Sequence, residues 1–162
     1  MVTSIKGNAT STFGGNVDVT GNVITDAPAF SAKLSSNQTI SAGTWTKAQF
    51  DTEQFDTNSN YDNATNYRFT PTVAGYYLIN VNIRWTGMSG STNLMGSVYK
   101  NGTRAAILQQ QHAQTPDSSA TGANLLYLNG STDYVECYVY TANGDDLITA
   151  YTFFQGFLAR AV

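Results

Sequence analysis

The chain has 162 residues, carries a net charge of −3 and contains only 12% charged residues. That length fits one domain with a short appendage, large enough to fold without a metal or disulfide, and the lone Cys137 excludes an intrachain disulfide. The acidic balance argues against a nucleic-acid partner, and no run approaches the roughly 20 apolar residues that would insert in a membrane.

The chain opens with GGNVDVTGNVITD, residues 14–26, in which Gly-Asn-Val occurs twice. Short β-branched stretches with Gly and Asn at the corners bury no core alone, whereas three copies around one axis do. Residues 1–27 are therefore read as an extended stem or linker, with a disordered tail as the competing reading. Residues 1–30 also lack the continuous apolar run of a signal peptide. The head is expected over 28–162. Its first strand is predicted at 29–34, followed by a polar, loop-like region at 35–65 anchored by Ile40, Trp45, Phe50 and Phe55.

Further strands are predicted at 66–70, 75–86, 93–100, 103–112, 123–128, 133–141 and 147–159, because Val, Ile, Thr, Tyr and Phe dominate these runs. In YYLINVNIRW, Tyr77, Ile79, Val81, Ile83 and Trp85 share one face, and Tyr76, Leu78, Asn80, Asn82 and Arg84 share the other. Val135, Cys137 and Val139 likewise oppose Tyr134, Glu136, Tyr138 and Tyr140. Phe69, Trp85, Phe154 and Phe157 are expected in the core. Asn-Gly pairs at 101–102, 129–130 and 143–144 predict tight type I′ hairpin turns, whose central residues both need positive φ. Short strands at this spacing predict an all-β, antiparallel two-sheet jelly-roll sandwich.

Catalytic patterns are absent: the chain has no Gly-x-Ser-x-Gly elbow, phosphate loop or His-Glu-x-x-His. The single histidine, His112, sits among glutamines and reads as a surface side chain. Asp51, Glu53 and Asp56 form one acidic cluster and Asp145 with Asp146 another; a glycosidase would need two such groups facing across a cleft, and solvated loops are the competing reading. Trp45, Tyr61 and Tyr151 lie near predicted loops, where exposed rings stack on sugars. For Trp45 the alternative is a plug at the sandwich edge.

The order of five blocks carries a family resemblance: PAFSAKL, then FDTNSNYDNATNYRFTPTVAGYYLINVNIRW, VYKNG, LLYLNGSTDYVECYVY and FFQGFLAR. Over about residues 28–162 this resembles the globular head of the complement C1q / tumour-necrosis-factor superfamily. One departure is Ser131-Thr132-Asp133, where many members carry Gly-Asp.

The resemblance implies a jelly roll that assembles into a tight homotrimer and binds rather than catalyses. The face carrying Tyr76, Leu78, Asn80, Asn82 and Arg84 is then the expected trimer interface. With no collagen-like stem and with Asn/Thr-rich loops, the resemblance leans to the bacteriophage and bacterial members. The expectation is a virion protein: a head of a phage fibre or capsid appendage, joined to other virion proteins through its N-terminal segment. Its role would be attachment to a host-surface glycan, or structural decoration. The alternatives are a head on a bacterial cell or spore coat, and a small tip enzyme that degrades polysaccharide. Some heads of this type bind calcium, which makes Asp145 and Asp146 weak calcium candidates; no other cofactor is implied. Trp45, Tyr61 and His112 are the ligand-binding candidates. A single loop contact to a neutral glycan would be millimolar, about −4 kcal/mol, and threefold presentation adds roughly 10²–10⁴ in avidity.

Overall fold

The computed structural model describes residues 27–87, 92–113, 117–147 and 151–162. The stem expected over 1–27 lies almost wholly outside them. Among the described residues there is no helix, and thirteen strands run β1 (Ala29–Lys33), β2 (Gln38–Ile40), β3 (Thr46–Lys47), β4 (Thr52–Asp56), β5 (Tyr61–Asp62), β6 (Arg68–Phe69), β7 (Ala74–Thr86), β8 (Thr92–Lys100), β9 (Thr103–Ala113), β10 (Ser118–Asn129), β11 (Val135–Thr141), β12 (Asp145–Leu147) and β13 (Phe153–Ala161). All pairings are antiparallel.

They form two sheets. In the first, β10 flanks β7 on one side, and β13, β1 and β4 follow in order on the other. Beyond the end of β13, β12 takes over as the partner of Trp85 and Thr86, with β2 outside it. The second sheet runs β5-β6-β11-β8-β9, with β3 also on β11. The all-β jelly-roll expectation therefore holds.

The alternation in β7 explains the core. Tyr77, Ile79, Val81, Ile83 and Trp85 are all buried, and from the second sheet Val98, Val135, Cys137 and Val139 meet them. Each fully buried side chain of this size contributes on the order of 1.5–3 kcal/mol. Phe30 organises one end: its ring stacks on Phe69 at 4.3 Å and on Tyr61 at 5.1 Å, and meets Phe154 edge-on at 5.0 Å.

Three expectations are corrected. The region 35–65 is not simply loop, because β2, β3, β4 and β5 pair there as short edge strands. The strand expected over 147–159 is two strands, β12 and β13, which pair with different stretches of β7. Phe157 is half exposed rather than core: Phe154 and Gly156 share the inward face of β13, so period two turns Phe157 outward.

The Asn-Gly turns divide. Asn101 and Gly102 both have positive φ, 51° and 74°, and close the β8–β9 hairpin as a type I′ turn requires. At 129–130 and 143–144 only the glycine is left-handed, because those segments carry the chain from one sheet to the other.

Candidate functional site

Two outward faces concentrate the chemistry-bearing side chains. On the first sheet, pairing sets Leu78 between Leu125 of β10 and Phe157 of β13, and Tyr76 beside Tyr127. The Tyr76 and Tyr127 rings meet edge-on at 5.7 Å. Tyr76, Leu125, Tyr127, Phe157 and Phe55 of β4 are all exposed. On the same face a groove of about 250 Å³ is lined by Phe55, Leu78, Asn80, Gln155 and Phe157.

The other half of the same face is polar and already engaged. Asn82 donates to the Tyr151 carbonyl and accepts from the Thr121 hydroxyl. Arg84 donates to Asp117 at 2.9 Å, and Thr86 donates to the same carboxylate at 2.6 Å. The five expected interface residues thus separate: Leu78 and Asn80 line the groove and Tyr76 stands exposed against Tyr127, while Asn82 and Arg84 belong to a hydrogen-bonded network.

On the second sheet, Thr46 pairs with Val139, which brings Trp45 alongside Tyr140, 5.6 Å between rings. Tyr99 and Tyr138 stack at 4.1 Å. The Arg104 guanidinium carbon lies 4.1 Å from the centre of the Trp45 ring, and its Nη2 donates to the Tyr99 hydroxyl at 3.2 Å. Lys47 pairs with the buried carboxylate of Glu136 and stands 5.7 Å over the Tyr138 ring. Arg68 packs on Tyr134 at 4.3 Å. Burial first, then the Glu136 carboxylate, pushes the Tyr138 phenol above its ordinary range. This aromatic strip was not foreseen, although β-strand alternation placed its tyrosines on one face.

The three ligand-binding candidates are not brought together. Trp45 is half-buried over the outer face of the second sheet, neither free nor an edge plug. His112 lies at the opposite end of β9 from Arg104, its Nδ1 2.9 Å from Asn93 Oδ1. Tyr61 departs from the expectation of an exposed ring: it is buried, stacked on Phe30, and donates its hydroxyl to the Phe50 carbonyl at 3.0 Å. Burial pushes its pKa far up.

The acidic clusters have local work. Asp51 accepts from the Ser35 backbone N–H at 2.6 Å and from the Ser35 hydroxyl at 2.5 Å, and Asp56 from the Tyr61 N–H at 2.7 Å. The side chains of Asp145 and Asp146 lie outside the described ones. Among the described residues no three His, Cys, Asp or Glu side chains gather as metal ligands.

Comparison with solved structures places this architecture. The chain is similar to the globular domain of zebrafish complement 1qA protein, with 17% identity over 84% of this chain and 99% of that one, TM-score 0.60. It is similar to Eiger TNF from S. frugiperda, with 15% identity over 84% and 93%, TM-score 0.55. Murine APRIL matches at 13% identity over 82% and 98%, TM-score 0.58. At such identities these likenesses speak for the fold alone. No curated protein sequence matches, and no enzyme family is indicated. The C1q domain model matches residues 29–159, nearly the whole described sandwich, and the chain belongs to the C1q domain family.

Proposed function

We propose that the protein is a non-enzymatic homotrimeric head, carried on a bacteriophage fibre or capsid appendage and acting in host-surface attachment or structural decoration. The observation that carries the assembly is the exposed apolar half of the first sheet: Tyr76, Leu125 and Tyr127 on the same face as a groove lined by Phe55, Leu78 and Phe157. A contiguous apolar patch rimmed by polar groups marks an interaction surface, and heads of the C1q and TNF type assemble as trimers. Obligate interfaces bury about 2,000 Å² or more, so the trimer should survive dilution.

The virion setting rests on the Gly-Asn-Val echo read as a stem, on the low charge, and on the Asn/Thr-rich surface. Other virion proteins would be met through residues 1–27, and a host-surface glycan through exposed rings. Two measurements test this. Light scattering of the full chain at micromolar concentration should return three chain masses, and a single chain mass overturns the assembly. Adsorption of the intact trimer to whole bacteria should be saturable; a trimer that adsorbs to no host surface leaves decoration as the role. Incubation with host polysaccharide should leave chain lengths unchanged, whereas shortened chains would show a tip enzyme.

A further inference from the structure

We propose that the outer face of the second sheet, centred on Arg104 and Trp45, is a binding platform for a carboxylated polysaccharide built of hexuronate units. The inference deepens the attachment reading, on which it rests for its biological setting, and replaces the neutral glycan expected from the sequence with an acidic one.

Arg104 is the centre of the argument. Its guanidinium is held over Trp45 at 4.1 Å, lies 5.7 Å from Tyr99, and uses one N–H on the Tyr99 hydroxyl. A guanidinium has five N–H donors in a planar fork, and Arg104 is exposed, so donors beyond the one on Tyr99 are accessible to a ligand. Among the described residues the ion pairs are Lys47–Glu136, Arg84–Asp117 and Lys100–Asp133, and Arg104 takes part in none. A fork already ordered by stacking loses little freedom when it grips a carboxylate with two parallel hydrogen bonds. The carboxylates near the strip are engaged elsewhere: Glu136 by Lys47, and Asp62, opposite Arg68, by the N–H groups of its own turn.

The shape of the face selects among anions. An extended peptide pairs with a sheet edge and a helix lies in a groove, but this strip lies across the face of a sheet, from Trp45 beside β3, over β11 and β8, to Arg104 on β9. Nucleic acid calls for a basic stripe, whereas on this face Lys47 is already paired with Glu136 and Arg104 stands as a guanidinium among rings. What the face offers is a shallow row of amphipathic rings, Trp45, Tyr99, Tyr138 and Tyr140, with a guanidinium among them. A uronate unit matches that: apolar C–H surface for the rings, hydroxyls for the phenols, and a carboxylate at its rim for Arg104.

The full-length protein should be retarded by polygalacturonate, alginate or hyaluronate in affinity electrophoresis. Methyl-esterified polygalacturonate, the same rings without the charge, should bind about tenfold more weakly or worse, and so should poly-glutamate. Arg104→Gln should lower polyuronate affinity about tenfold, with Arg104→Lys in between, while trimer mass and melting temperature stay unchanged. Salt should weaken binding without abolishing it, because ring contacts are not screened. Retardation by none of the three polyuronates, equal binding of the ester or of poly-glutamate, or unchanged binding by Arg104→Gln each overturns the inference. The two readings fail separately: a trimer that binds polyuronate but adsorbs to no cell overturns attachment alone. A trimer that adsorbs to cells but binds no polyuronate overturns this site alone.

Discussion

Asp133 shows how single residues join distant parts of the chain. It is buried, accepts from Asn101 Nδ2 at 2.7 Å and the Asn129 N–H at 3.1 Å, and pairs with Lys100 at 2.9 Å. Asn129 Oδ1 in turn accepts from the N–H groups of Ser131, Thr132 and Asp133. Asp133 and Asn129 thus form a clamp between the β8–β9 hairpin and the crossover into β11. Lys100 first, then the Asn101 carboxamide, holds the Asp133 carboxyl below its ordinary value of 3.8. A carboxyl depressed in the folded state contributes stability that is complete above its unfolded pKa and is lost as pH falls through the folded one. Asp62, held at about 2 chiefly by the Thr65 N–H, extends that loss in the same direction. Denaturant midpoints should therefore be flat above about pH 4 and fall below it, with Asp133→Asn flattening the acid limb and costing about 1–3 kcal/mol at neutral pH. Gly130 is the second pivot: its φ is +70° and a Cβ there would sit 2.3 Å from the Ala74 nitrogen. Gly130→Ala should cost roughly 2 kcal/mol or more, against about 1 kcal/mol for Gly43→Ala, where the φ is similar but the space is open. Equal losses in urea titration would show that the close approach is not what matters.

At the scale of strands, β7 is the hinge of the architecture, with β10 along one edge and β13 and then β12 along the other. Its two faces carry opposite duties. Ile83→Ala, on the buried face, should cost about 2–5 kcal/mol in unfolding free energy through lost transfer and a residual cavity. On the outward face, Leu125→Asp in the neighbouring β10 places a charge on the apolar groove's flank, where the leucine is exposed. That variant should keep its far-ultraviolet β spectrum but shift the mass distribution towards monomer. A trimer unaffected by it would move the interface away from this face.

The whole molecule presents two sheets with different outer surfaces. One carries apolar side chains around a groove and suits copies of itself; the other carries an arginine-topped aromatic strip and suits a soluble polymer. In the proposed trimer, joined through the first, three copies of the second would face solvent and turn weak contacts into avidity. Among the described residues the core begins at Phe30, two residues after Pro28, whose carbonyl accepts from the Leu158 N–H at 2.9 Å. Deleting residues 1–27 should therefore leave a folded head with an unchanged melting temperature in calorimetry. A truncated chain that fails to fold would make the N-terminal segment part of the domain.

Alternation was enough to assign the buried face of β7 and of β11, because a period of two puts every second side chain into the core whatever the neighbours are. The order of blocks was enough to identify the family, since it reflects the strands that must pair. Length, charge and the lone Cys137 bounded the rest. Tertiary structure alone decided which Asn-Gly pair closes a hairpin, because a turn between two strands of one sheet and a crossover between sheets use the same residues. It also decided that Tyr61 enters the core and that Trp45 and Arg104, 59 positions apart by their numbers, meet on one face. Such contacts depend on register between strands remote in sequence, and no local pattern encodes that distance.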